Sequence, residues 1–277
     1  MKKITVLSIK GTTFSLIVVL FMAGCMAFSV NDNYKRMKFG VAPGVYLGEM
    51  PLAKMLEHEV RTYVSSLDKE YSIQPRNAFT DPVSGQILPE IYGEKIDVHA
   101  TLNTIMRSES YTTHNPAYVS LDPEITADVY RNIRTKKSSY MTGFGGGNRG
   151  TNISLAAYYI NNYLLAPGEK FSFNKTTMHS DPNKGYKPAP IIVGGTVVPG
   201  YGGGVCQVSS TLYNAVRKAG LEVVERFPHS KPVGYVPTGM DATVSDHLDF
   251  KFRNNTDRFI MIKASTWGYR LVIEIWE

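Results

Sequence analysis

One stretch constrains this chain more than any other: Gly202-Gly203-Gly204-Val205-Cys206-Gln207-Val208-Ser209-Ser210-Thr211-Leu212-Tyr213-Asn214-Ala215-Val216-Arg217-Lys218-Ala219-Gly220. Val208, Leu212, Ala215, Val216 and Ala219 recur at helical spacing and define one apolar face. Gly220 is a good helix stop. The helix therefore starts near Cys206, directly after three glycines. Unpaired N–H groups and the dipole at a helix N-terminus favour a thiolate, so the sequence predicts a depressed Cys206 pKa. N–H groups around Cys206 and Gln207 are candidates for an oxyanion hole. Gly203 and Gly204 would let a substrate backbone approach closely. A free cysteine at a helix start is also a common small buried residue, and both readings stand at this point.

Cysteine usage sharpens the question. The chain has only Cys25 and Cys206, and Cys25 lies in an apolar N-terminal segment. The two are not expected to pair. Two cysteines without a CxxC make no zinc site, so neither metal nor cofactor is expected. Residues 12–30 carry no charge, which is about the length that crosses a bilayer as a helix. Lys2, Lys3 and Lys10 precede this run, and Asp32, Lys35 and Arg36 follow it. The pattern is that of an export signal with its positive end inside. Met22-Ala23-Gly24-Cys25 is similar to the box before a lipidated cysteine, whereas the apolar continuation Met26-Ala27-Phe28 fits an uncut anchor. Either version puts residues 31–277 outside the cytoplasmic membrane, where a lone thiol needs burial or a chemical role.

The formal net charge of +6 over 277 residues comes without a dense basic stripe, so nucleic acid is not an expected partner. An exported basic protein meets anionic lipid headgroups and wall polymers instead.

The chain reads as α+β. Residues 31–40 suit a short tether. Apolar positions 52, 55, 56, 60, 63 and 64 predict an amphipathic helix, and further helices are expected at about 99–107 and 125–133. These make a small α+β unit over 31–133. Residues 134–148, basic and then glycine-rich, read as a linker or loop. The second unit, 149–277, opens with a helix from Asn152 to Leu165 stopped by Ala166-Pro167-Gly168. It continues with a strand at Phe171-Ser172-Phe173 and a hairpin over 191–198 turning at Gly194-Gly195. Strands after the central helix are expected at 223–226, 248–252, 259–262 and 269–276. The expected architecture is a mostly antiparallel sheet carrying two main helices.

A cysteine nucleophile needs a base. Phe227-Pro228-His229-Ser230-Lys231-Pro232 places His229 in a proline-bounded loop, and Asp241 lies nearby to orient an imidazole. His247 and Asp249 form a second, weaker pair.

Gly202 to Ala215 resembles the signature of the VanW family. So do Pro167-Gly168-Glu169-Lys170-Phe171-Ser172-Phe173-Asn174, Lys184-Gly185-Tyr186, Pro228 to Val244, and Asp249-Phe250-Lys251-Phe252-Arg253-Asn254-Asn255-Thr256. The resemblance runs from about Asn148 to Ile262. Residues 40–130 more loosely resemble the peptidoglycan-binding domain found ahead of such domains. One departure is Lys175-Thr176-Thr177-Met178-His179-Ser180-Asp181, where family members commonly carry a Gly and an Arg; a substrate carboxylate would then fall to Lys175 or Lys184. The resemblance implies peptidoglycan L,D-transpeptidation with Cys206 as nucleophile, His229 as base and Asp241 orienting it. Gly203, Gly204, Gln207, Ser209, Ser210 and Tyr235 would contact the stem-peptide substrate. A non-catalytic wall-binding or scaffold protein with a buried Cys206 is the expectation from a different class.

Overall fold

The computed structural model describes residues 11–81, 84–179, 181–193 and 196–277. Lys2, Lys3, Lys10 and the Gly194-Gly195 turn lie outside these. The chain divides into two compact units. One runs through Arg76 and resumes over Ile91–Glu124; the other comprises Asn77–Glu90 and Ile125–Glu277.

In the first unit, α1 (Gly11–Phe39) is continuous through the stretch expected as a tether. Among the described residues no helix is long and apolar enough to cross a membrane, so anchoring rests on the sequence alone. The amphipathic pattern produces α2 (Glu57–Tyr71), which buries Val60 and Val64. Glu59 accepts the Leu56 N–H at the start of this helix and pairs with Arg36 at 2.7 Å. A strand β1 (Gly93–Ile96) leads into α3 (Val98–Met106), whose N-cap Asp97 accepts from the Ala100 N–H at 2.9 Å. β1 pairs antiparallel with β2 (Tyr118–Leu121).

The second unit begins earlier than expected, and not with a linker. Ala78 N–H donates to Ile125 O, and Ala127 N–H to the Glu90 carboxylate, which ties residues 77–90 to α4 (Ala127–Asn132). Residues expected as a linker or loop form the strand β3 (Lys136–Gly143) and the start of α5 (Gly147–Ile160). Polar content misled the reading. Ser138, Thr142 and half-buried Tyr140 face inward, and Ser138 Oγ donates to Ala215 O at 2.6 Å.

After β4 (Tyr163–Leu165) and β5 (Lys170–Ser172) come a short helix α6 (Phe173–Thr177) and the hairpin β6 (Pro188–Val193) and β7 (Thr196–Tyr201). The central helix is α7 (Val205–Lys218). It is followed by β8 (Glu222–Glu225), β9 (Lys251–Arg253), β10 (Ile260–Trp267) and β11 (Arg270–Trp276). A four-stranded sheet in the order β3-β11-β10-β4 and a three-stranded sheet β5-β9-β8 are antiparallel throughout. The α+β expectation, with α5 and α7 as the main helices of this unit, matches the fold.

The core lies between these helices and sheets. Phe171, Phe173, Phe250 and Phe252 are fully buried, with ring centroids of Phe171 and Phe252 5.1 Å apart. Asn254, also fully buried, donates to Leu165 O, Ala166 O and Arg258 O, closing the corner between β9 and β10. Phe252→Ala is expected to lower stability by about 3–5 kcal/mol, measured by urea unfolding. Trp267→Ala, at a side chain 78% exposed, should change it by less than about 0.5 kcal/mol.

Candidate active site

The helix α7 starts where the sequence predicts, capped by Gly204 at φ +108°. That backbone region suits glycine. A Cβ on Gly204 would also stand 2.9 Å from Arg149 Cγ, and one on Gly203 2.7 Å from Pro190 O. Packing within the protein by itself requires glycine at both positions. Asn152, fully buried on α5, donates to Gly203 O and Lys187 O and accepts from the Lys187 N–H.

Cys206 sits in the first turn, its Sγ 3.3 Å from Val244 O. The residue keeps partial exposure, yet its sulfur lies deep enough for burial to dominate. Burial pushes the thiol up from its ordinary value. Hydrogen bonding to the backbone and the Arg149 charge pull the other way without reversing it. The expected depressed pKa is therefore corrected: removing a thiolate from water outweighs the local helix-terminus field. The oxyanion-hole expectation also narrows. The Gln207 N–H already donates to Gly204 O at 3.0 Å.

The hydroxyls expected to hold substrate are engaged elsewhere. Ser209 and Ser210 are fully buried. Ser209 Oγ donates to Ala242 O at 2.6 Å, while Ser210 Oγ donates to Cys206 O and accepts the Ala242 N–H. They fasten α7 to the 240–244 segment. Gln207 is buried too; its amide nitrogen donates to Thr142 Oγ1 and Gly143 O, and its oxygen accepts from Arg149 at 2.9 Å.

His229 and Asp241 meet. Asp241 Oδ2 lies 2.6 Å from His229 Nδ1 and accepts the His229 backbone N–H at 2.6 Å. Arg226, which the sequence reading passed over, donates to Asp241 Oδ1 at 3.0 Å and to Asp241 O. Burial alone would raise the Asp241 carboxyl. Hydrogen bonds from the His229 backbone and ring outweigh it, and the group ends below its ordinary value. An ionised carboxylate only accepts, so Nδ1 must be the protonated ring nitrogen. That leaves Nε2 facing the Tyr235 hydroxyl at 3.4 Å. Burial pushes the Tyr235 hydroxyl up, with the neighbouring Cys206 next in weight, and a side-chain hydrogen bond to Ser210 opposes this. Tyr235 thus stands beside His229 and acts electrostatically with Cys206, as does Asp241.

The second pair does not form. Asp249 accepts from Ser172 Oγ at 2.6 Å and the Asn174 N–H at 2.9 Å at the start of α6, and His247 is exposed. Among the described residues no group of three or more His, Cys, Asp and Glu side chains is placed to hold a metal.

An open cleft of about 800 Å³ adjoins this cluster. Its floor takes in Gly143, Phe144, Gly145, Arg149, Gln207 and Tyr235. The β10–β11 turn adds Trp267, Tyr269 and Arg270. Cys206 does not line the cleft, but its chain neighbour Gln207 does. Lys175 and Lys184 are absent from the lining. Arg149 and the aromatic turn escaped the sequence reading because only the register of β11 on β3, with Arg270 opposite Gly143, brings them together.

Two measurements check this geometry. Alkylation of Cys206 by iodoacetamide in the resting protein should have a pH midpoint higher than that of a free cysteine peptide measured alongside; a midpoint lower than the peptide's would show a stabilised thiolate. Asp241, held below 3.8, contributes stability above about pH 4 that is lost as pH falls through its folded value. Asp241→Asn should therefore cost about 2 kcal/mol in urea unfolding at pH 7, a cost that shrinks progressively as pH falls below about 4.

The VanW like protein family model matches residues 148–276. The chain is 36% identical over 235 residues to the protein YoaR of Bacillus subtilis (strain 168), covering 82% of this chain and 77% of the relative. It is 34% identical over 116 residues to the vancomycin B-type resistance protein VanW of Enterococcus faecalis (strain ATCC 700802 / V583), 40% of this chain and 42% of that protein. No solved structure gives a significant match. Taken with a match that spans α5 through β11 and includes Cys206, His229 and Asp241, this places the chain in the VanW family.

Proposed function

We propose that this protein is a cell-wall peptidoglycan L,D-transpeptidase. It would be held at the extracytoplasmic face of the membrane by its N-terminal segment, as an uncut anchor or through lipidated Cys25. Its partners would be stem peptides and anionic wall polymers, with the first unit positioning the wall. The relative named for vancomycin B-type resistance is consistent with a role in the cell wall. The observation that carries the reading is the His229–Asp241 pair with His229 Nε2 facing Tyr235, a side chain that lines the cleft together with Gln207, the residue after Cys206.

The chemistry runs as acyl transfer. The Cys206 sulfur attacks the carbonyl at the L-centre of the donor's third residue. The thiol proton passes toward His229, with the Tyr235 hydroxyl standing beside the imidazole. The C–N bond breaks, and D-Ala leaves with a proton returned from His229. A thioester remains on Cys206. The amine of a neighbouring stem then attacks it, gives up a proton, and releases the thiol, leaving a cross-link between two third-position residues. Because burial disfavours a resting thiolate, base and substrate must act together at the first step. The fixed His229 tautomer suits such a base.

A second reading, a non-catalytic wall-binding protein, draws on the same burial of Cys206 and its contact with Val244 O. Intact-mass analysis separates the two. The purified full chain in detergent, given a tetrapeptide donor, should gain an acyl mass on Cys206. Cys206→Ala should gain none and lose all cross-linking. His229→Ala should slow acylation about 10²–10⁴-fold. Absence of an adduct on the native chain, or cross-linking that survives Cys206→Ala, would refute the enzyme reading.

A further inference from the structure

Arg149 is a charge with no counter-charge. It lies near the start of α5, half-buried, with its stem against Gly204 and its guanidinium donating to the Gln207 side-chain oxygen at 2.9 Å. Gln207 cannot turn away, because its amide nitrogen is engaged by Thr142 Oγ1 and Gly143 O. Its oxygen therefore faces Arg149 by necessity. Other half-buried arginines in the chain are paired: Arg36 with Glu59, Arg226 with Asp241. Arg149 has no carboxylate partner among the described residues, and neither does Arg270 on the same cleft. The cleft lining contains no Asp or Glu at all. A guanidinium oriented by a neutral brace, with N–H groups to spare and no carboxylate in ion-pair contact among the described residues, is arranged for a carboxylate that arrives from outside.

Distance along the substrate narrows which carboxylate. In a donor ending in D-Ala, the terminal carboxylate carbon lies only about 3–4 Å from the scissile carbonyl carbon, across one N–Cα unit. Whatever holds that carboxylate must be a near neighbour of the nucleophile. Arg149 is tied to the turn that carries the nucleophile: its stem lies against Gly204, its guanidinium bonds Gln207, the residue that follows Cys206, and it shares the cleft lining with Tyr235.

We propose that Arg149, braced by Gln207, holds the terminal carboxylate of the acyl-donor peptide in the cleft beside Cys206, in the role that the sequence reading assigned to Lys175 or Lys184. The inference rests on the transpeptidase reading above. It makes the enzyme selective for donors with a free C-terminal acid, and it fixes the direction in which the donor lies, its leaving residue toward Arg149.

The test separates binding from chemistry. The full chain carrying Cys206→Ala is titrated by calorimetry with a tetrapeptide donor ending in D-Ala, as the free acid and as the C-terminal carboxamide. The free acid should bind at least about tenfold tighter, as expected for a charge-assisted pair. Adding Arg149→Gln should bring the acid down to the affinity of the amide and leave the amide unchanged. Arg149→Lys, which keeps the charge without the fork, should retain part of the preference. Thermal melts check that each variant is folded, and the acid–amide comparison on the parent needs no substitution at Arg149. Equal binding of acid and amide by the parent overturns the inference, as does a preference that survives Arg149→Gln. In either case an acyl adduct on native Cys206 would leave the transpeptidase reading standing. Failure of both peptides to bind, with no adduct on Cys206, overturns both.

Discussion

Helix α7 is buried along most of its length although much of it is polar. Eleven of its fourteen residues are buried, among them Gln207, Ser209, Ser210, Thr211 and Asn214. A buried polar group without a partner costs about 1–3 kcal/mol, so a helix of this composition can sit in the core only if its surroundings meet each group. They do so from every side, with one exception: the side-chain oxygen of Asn214 has no hydrogen-bond partner among the described residues. Thr211 meets Thr142 on β3 at 2.9 Å, Ser209 and Ser210 meet Ala242, and Asn214 donates to Met240 O. The 240–244 segment is thereby held against the helix, and with it Asp241. Through Asp241 the loop carrying His229 is held as well. The positions of the candidate base and nucleophile thus follow from hydrogen-bond satisfaction within the core.

The distribution of charge around α7 is uneven in an informative way. Asp241 is matched by Arg226 and by both the backbone and the ring of His229. Arg149, also close to Cys206, is matched only by the neutral Gln207. An ion pair would have satisfied Arg149 internally and shielded its charge; an amide orients the guanidinium and leaves its charge available. On the thiol itself, burial opposes ionisation while Arg149 favours it.

Much of this was legible in the sequence. Helical spacing and the glycines placed α7 and its start, the α+β class followed from periodicity, and proline-bounded His229 with Asp241 stood out by residue type. The errors share a cause. Ser209 and Ser210 read as substrate contacts because polar residues beside a reactive cysteine invite that reading, yet whether a hydroxyl faces a cleft or a neighbouring carbonyl depends on what packs against it. Residues 134–148 were read as a linker because Lys136, Lys137, Ser138 and Ser139 are polar, whereas Ser138 and Thr142 are inward-facing residues bonded to α7.

By itself, then, the sequence determined elements whose signals are local: the helix that begins at Cys206, the strands that follow it, and the family signature. Tertiary structure alone decided the thiol's ionisation, since burial there depends on Val244, Tyr235 and other residues distant in the chain. It alone showed that Gly203 and Gly204 yield space to Pro190 and Arg149. It alone brought Arg149, Trp267 and Arg270 to one cleft. Desolvation, close packing and charge proximity are properties of the space between chain segments, and no pattern along one segment encodes them.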